Sequence, residues 1–152
     1  MHTLIKPLSD IKMKNILIIA VLFLLTLPAR SQEKPVRNGL HAFTIQWISF
    51  NKNNPGSVNI KPIGKDEYSI EGSQKDGQTN EYVTIKGTFL NKGRTLKFNG
   101  TIISKINSSN GGRPCELTGL FIFKATGVRK YWRLQQMLNC DGETTDYIDI
   151  FF

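Results

Sequence analysis

The chain has 152 residues and a formal charge of +8, with 39% hydrophobic, 10% aromatic and 21% charged residues. That length suits one domain with a core of its own and excludes a large multidomain enzyme. The apolar content is too high for a disordered chain, and two cysteines are too few for a disulfide-framework scaffold.

Residues 16–27 read ILIIAVLFLLTL, preceded by Met13-Lys14-Asn15 and followed by Pro28-Ala29-Arg30-Ser31. A basic start, a short apolar run and small residues near a cut site describe a secretory signal peptide. Twelve residues, all apolar but Thr26, fall short of the roughly 20 that a spanning helix needs. The expected cut follows Ser31, and residues 1–12 read as upstream sequence before a start at Met13, or as an extended leader. Residues 32–152 then form one domain, secreted or periplasmic. The leader holds Lys6, Lys12, Lys14 and Arg30 but only Asp10, so the remaining 121 residues carry +5. A mild basic excess reads as solubility rather than a polyanion site, and no nucleic-acid partner is expected.

From residue 42 the sequence alternates apolar and polar positions between turn residues, the signature of strands. Eight strands are predicted: 42–50, 57–61, 67–73, 81–90, 95–106, 115–125, 130–140 and 144–152. The turns carry Asn54-Pro55-Gly56, Asp76-Gly77, Lys92-Gly93, the 107–114 loop, Thr126-Gly127 and Asp141-Gly142, all tolerant of tight backbone.

Antiparallel partners must present matching faces, which allows registers to be proposed. A turn at Thr126–Arg129 pairs Phe123 with Trp132, Phe121 with Leu134 and Cys115 with Cys140. In an oxidising compartment that last pair becomes a disulfide. A Lys92-Gly93 turn pairs Phe89 with Leu96. The 107–114 loop pairs Gly100 with Phe121, and the Asp141-Gly142 turn pairs Trp132 with Phe152. One face is apolar throughout, and the other carries Lys86, Lys97, Lys105, Glu116, Lys124, Arg133 and Asp149. The expected fold is therefore all-β, an antiparallel up-and-down meander of eight strands closing into a small barrel with one disulfide. Gly72, Gly87, Gly100 and Gly119 fall mid-strand on the apolar face. They imply either sharp sheet coiling, with Phe98 and Phe121 lying over the gaps, or space cleared for a ligand.

Little catalytic chemistry is on offer. His41 is the one histidine after the leader, expected to be exposed ahead of the first strand. No phosphate-cradling loop and no zinc spacing is present, so no enzyme activity, metal or cofactor is expected. Asp141, Glu143, Asp146 and Asp149 offer oxygen ligands, but turn formation and pairing with Arg133 account for them more simply. Gln136 is the one strongly polar side chain assigned to the apolar face, opposite Gly119. With Trp47, Tyr68 and Trp132 on that face it would mark the polar end of an aromatic pocket.

The rhythm of short hairpin-linked strands is similar to the calycin group of lipocalins and avidins, at the level of the fold. The glycine that precedes tryptophan by two residues in lipocalins has no counterpart before Trp47. The resemblance implies a non-enzymatic barrel that binds a small apolar or amphipathic molecule. One alternative is an interaction or inhibitor module with a solid core. It would contact an extracellular or periplasmic protein through loops 51–56, 74–80 and 107–114 and its basic face. A further alternative is a small outer-membrane barrel, suggested by the alternating Ile148, Ile150 and Phe152. If the barrel stayed open, its sheet edges would be free to pair two copies.

Overall fold

The computed structural model describes residues 34–49 and 55–152, so the leader and its cut after Ser31 lie outside the described residues, as do most of 51–56. Glu33–Phe152 forms a compact unit by itself. Eight antiparallel strands follow one another: β1 (Gly39–Ile45), β2 (Gly56–Gly64), β3 (Glu67–Lys75), β4 (Tyr82–Lys92), β5 (Thr95–Lys105), β6 (Cys115–Lys124), β7 (Tyr131–Leu134) and β8 (Ile148–Phe151). Each pairs with the next, and β8 returns to β1, closing the barrel. One helical turn, α1 (Gln46–Ser49), follows β1.

The face assignment holds along β3–β5, whereas the registers do not. Phe89 lies opposite Phe98, Gly100 opposite Gly119, Phe123 opposite Leu134 and Trp132 opposite Ile150. Each pairing is two residues from the expected one. Side chains alternate with period two, so such a slip preserves both faces, and the hydrophobic pattern alone does not detect it. The β4–β5 turn is Gly93-Arg94 rather than Lys92-Gly93, with Lys92 paired to Thr95.

The observed register aligns glycines. Gly87 faces Gly100, which faces Gly119 on the next strand. A Cβ on Gly100 would sit 2.3 Å from the Lys86 carbonyl oxygen and 2.7 Å from the Phe98 ring. A Cβ on Gly87 would meet the same ring at 2.7 Å. Phe98 thus lies across the gap that the glycines leave, in contact with Phe121 at 6.1 Å and edge-on to Phe123 at 5.9 Å. At Gly87 and Gly100 the geometry is that of tight coiling under an aromatic ring, whereas Gly72 approaches the Ser57–Val58 backbone and Gly119 has open space at its Cβ position.

Phe43, Phe89, Phe98, Phe123, Ile60, Ile85, Ile102 and Leu134 are fully buried inside the barrel. Its interior is therefore packed with side chains, dominated by phenylalanine and isoleucine. Outward positions of β2–β6 carry mostly Lys, Glu, Ser and Thr, with Ile63, Leu90 and Leu120 also exposed, and Lys86 and Glu71 lie 3.1 Å apart on neighbouring strands.

The last two strands are shorter than expected. Between β6 and β7 the ladder consists of Phe123–Leu134 and Lys124–Arg133. The Gln135 N–H still reaches the Ile122 carbonyl at 2.8 Å, but the Ile122 N–H donates to the Gln136 side chain at 3.0 Å. A side-chain amide has replaced the backbone there, and β7 ends. Cys115 and Cys140 form the expected disulfide with Cα atoms 5.5 Å apart. It survives the register error because β6 takes two more residues from Phe123 to Cys115 than the partner chain takes from Leu134 to Cys140.

Candidate binding cleft

The sequence-predicted site residues do not share one chamber. Trp47, expected on the interior face of the first strand, is on α1 and 38% exposed. The alternation through Ile45 and Trp47 looks strand-like, but β1 stops at Ile45, whose N–H donates to the buried Gln74 side chain. The helical turn then sends Ile48 inward instead. Gln136, expected inside, is exposed on the wall beside Ile122. Tyr68 and Trp132 are buried as expected, both toward the barrel end where β4–β5 and β6–β7 turn.

That end is crossed by a strap, residues 34–38. Val36 is buried, and its N–H donates to the Tyr68 hydroxyl at 3.2 Å. The Tyr68 ring stacks on Phe89 at 5.2 Å. The Asn91 amide donates to the Lys34 carbonyl, and its oxygen accepts the Gly93 N–H. His41, expected to be exposed before the first strand, lies within β1 and is 2% exposed. Its ring nitrogens lie 2.7 Å from the carbonyl oxygens of Arg37 and Phe151, so the imidazole bridges the strap to β8. The strand boundary was misplaced by three residues, which moved His41 from a loop to an inward position.

Between the strap and the β4–β5 turn lies a cleft of about 470 Å³. Pro35, Val36, Trp132 and Phe152 give it an apolar lining. The Trp132 and Phe152 rings meet at 4.3 Å, and the Trp132 N–H donates to the Gly93 carbonyl at 3.2 Å. Lys34, Arg37 and Arg94 stand at the same cleft. Arg94 is held by the carbonyls of Ala125 at 2.9 Å and Gly127 at 2.8 Å, so its position is fixed by the β6–β7 turn. Such a volume falls in the range of small-molecule sites, about 300–1,000 Å³. Sequence reading found Trp132 from its inward position but missed the strap, Arg94 and His41. Apart from the Arg37 carbonyl beside His41, their partners lie some 30 to 110 positions away, and the local signal is the apolar Val36 ahead of β1.

A second concavity of about 470 Å³ lies outside β2–β4, lined by Asn59, Lys61, Ser69, Glu71, Lys86 and Thr88. It is polar, and the Lys86–Glu71 pair occupies it with both side chains well exposed.

The opposite barrel end is built from hydrogen bonds. Asp146 is 5% exposed and accepts from the Trp47 indole at 2.9 Å, the Asn139 amide at 2.7 Å and the Ser104 hydroxyl at 3.1 Å. Asp141 accepts from the Glu143 and Thr144 N–H groups, the Thr144 hydroxyl and the Asn110 N–H. The Thr144 hydroxyl first, then these N–H groups, hold its carboxyl well below the usual carboxylate range. Asp149 forms a two-pronged pair with Arg133 at 2.8 and 2.7 Å, and its hydrogen bond raises the arginine further. Three of the four acidic residues near the end of the chain thus have local partners. Among the described residues no three His, Cys, Asp or Glu side chains converge as a metal site.

The fold and the cleft define a small, filled, disulfide-bonded antiparallel barrel. Residues 29–152 match the model of the PM1083 family, and the chain belongs to that family. A relative from Pasteurella multocida (strain Pm70), named "Uncharacterized protein PM1083", is 35% identical over 117 residues. The match covers 75% of this chain and 72% of the relative. No solved structure matches significantly.

Proposed function

We propose that the chain is an exported, non-enzymatic barrel that binds a small apolar or amphipathic molecule in the cleft under the strap, not inside the barrel. The carrying observation is the contrast between a packed interior and an apolar cleft floored by Trp132 and Phe152. The start of the family match at residue 29, just past the apolar run, supports export followed by removal of the leader. His41 has both ring nitrogens engaged by carbonyls, so it is not available as a general base, which supports a non-enzymatic role.

Intact-mass analysis of protein recovered from the full-length gene should show a chain starting at Gln32. Native mass spectrometry should show a co-purifying small molecule, lost on Phe152→Ala. An uncleaved product, or a bare protein whose Trp132 emission ignores every amphiphile tested, would sink this reading.

A second reading, a surface interaction module, rests on the outer side of β7–β8. Arg133 lies 5.2 Å from the Tyr131 ring and 4.5 Å from the Tyr147 ring, and Phe151 packs on Tyr131 at 5.2 Å. Aromatic and arginine side chains are enriched where binding energy concentrates at protein interfaces. An outer-membrane barrel fits less well. Its lumen should be polar and its outside an apolar band, whereas this barrel is filled with phenylalanine and isoleucine and faces outward with lysine, serine and threonine among which Leu40, Ile63, Leu90 and Leu120 are scattered. Among the described residues no helix is long and apolar enough to cross a membrane.

A further inference from the structure

We infer that the cleft selects a single-chain amphiphile with an anionic head, a carboxylate or a phosphate; the inference rests on the cleft being the binding site. Two ion pairs occur among the described residues, Lys86–Glu71 and Arg133–Asp149, and neither is at the cleft. Lys34, Arg37 and Arg94 therefore face the cleft without a carboxylate partner among those residues.

The two guanidinium groups are held by carbonyl oxygens. Arg94 uses Nε and one terminal nitrogen on Ala125, Gly127 and Arg129, which leaves its other terminal nitrogen free to donate. Arg37 spends one nitrogen on the Leu40 carbonyl at 2.8 Å and keeps the rest of its fork. Carbonyl anchoring positions the cation while leaving its charge uncompensated, the condition for capturing an anion by charge-assisted hydrogen bonds.

The surroundings reinforce this sign. Lys92 and Arg94 in one turn, and Arg129 and Lys130 in the other, occur with no acidic residue in either 91–95 or 125–131. An inorganic anion alone would leave Trp132, Phe152, Pro35 and Val36 without a role; a neutral apolar molecule would leave the three cations without one. An alkyl chain against the aromatic pair with its head at the strap uses both.

The test uses protein recovered from the full-length gene with Trp47→Phe, so that Trp132 alone reports by fluorescence. Sodium dodecanoate, dodecyl phosphate and dodecyl maltoside are titrated below their micelle thresholds. The first two should bind about tenfold more tightly than the third, the equivalent of one charge-assisted hydrogen bond. Preference between them identifies the head as carboxylate or phosphate. The Lys34→Gln/Arg37→Gln variant, which leaves the Arg94 anchors in place, should remove most of that advantage, and added salt should do so progressively. Equal binding of all three would overturn the anionic head and leave the cleft reading intact. Tight anion binding unchanged in the double variant, with melting also unchanged, would overturn the head assignment as well. No binding of any amphiphile would remove the cleft reading itself.

Discussion

The two ends of this barrel are closed by different means. At the end where β5 meets β6, a disulfide, a buried carboxylate and an aspartate-capped turn lock the 106–114 and 139–147 loops together. The 139–147 loop carries Asp141, Glu143 and Asp146 and no cation. At the other end a strap is laid across the opening and tied by single hydrogen bonds to Tyr68, Asn91 and His41. Its neighbouring turns are basic, and its apolar side chains leave a cleft rather than a plug. Covalent closure makes one end a fixture, whereas the other is closed by a few hydrogen bonds, as the proposed binding cleft requires. Since the shared core between them is filled, neither end communicates with a chamber.

Removing the disulfide is the harshest way to break this contrast. The bridge closes a loop with a sequence separation of 25, worth about 3 kcal/mol in the chain-entropy picture. Cys115→Ser/Cys140→Ser should lower the melting temperature by on the order of 10 °C. Hydrogen exchange should rise in 106–114 and 135–147 while the strap and β1 keep their protection. Uniform loss of protection at both ends would show that the bridge stabilises the barrel as a whole, and the contrast would fail.

Single side chains give the next test. Asp146→Ala leaves the buried Asn139 and Ser104 donors without their acceptor and should cost about 2–3 kcal/mol in denaturant unfolding. His41→Ala removes the imidazole that bridges the Arg37 carbonyl of the strap and the Phe151 carbonyl of β8 and should cost about 1–2 kcal/mol. The sharper distinction lies in ligand response: His41→Ala should weaken amphiphile binding by loosening the strap, and Asp146→Ala should not. Equal effects on binding would mean that the two ends are coupled through the core.

Where the sequence could be read and where it could not follows the same physics. Alternation defines which side chains point inward on β2–β6, because burial imposes a period of two, along the whole of β4 and as far as Ile60 on β2. Pairing offsets are invisible to alternation; the Gly87–Gly100 pair under Phe98, continued by Gly119 on β6, selects the true register. Strand ends were least legible. Gln136 sits where a side-chain amide ends β7, and Trp47 where one helical turn inverts inside and outside. Of the cleft, Trp132 was visible in the alternation. Arg94 was not, since its role depends on the carbonyls of Ala125 and Gly127, which only the folded β6–β7 turn presents.

The smallest expected effect concerns the acidic loop and depends on pH. Asp141 is fully exposed, yet four donors converge on its carboxylate and hold its titration below the ordinary range. A carboxyl depressed in the folded state binds its proton more readily when unfolded. Its stabilising contribution is therefore complete above the unfolded value, about pH 3.9, and fades as pH falls from there toward the folded value. Asp141→Asn keeps one acceptor oxygen but turns an NH2 group toward donors that need a second. The variant should melt slightly below wild type at neutral pH, and the gap should close below about pH 4. A gap that stays constant down to pH 2 would mean that loop geometry, not charge, sets the difference. Because Asp141 acts on the bridged loop, the acid-induced change should appear first in exchange of the Asn110, Glu143 and Thr144 amides, while the amides of the strap, which has no acidic residue, stay protected at the same pH.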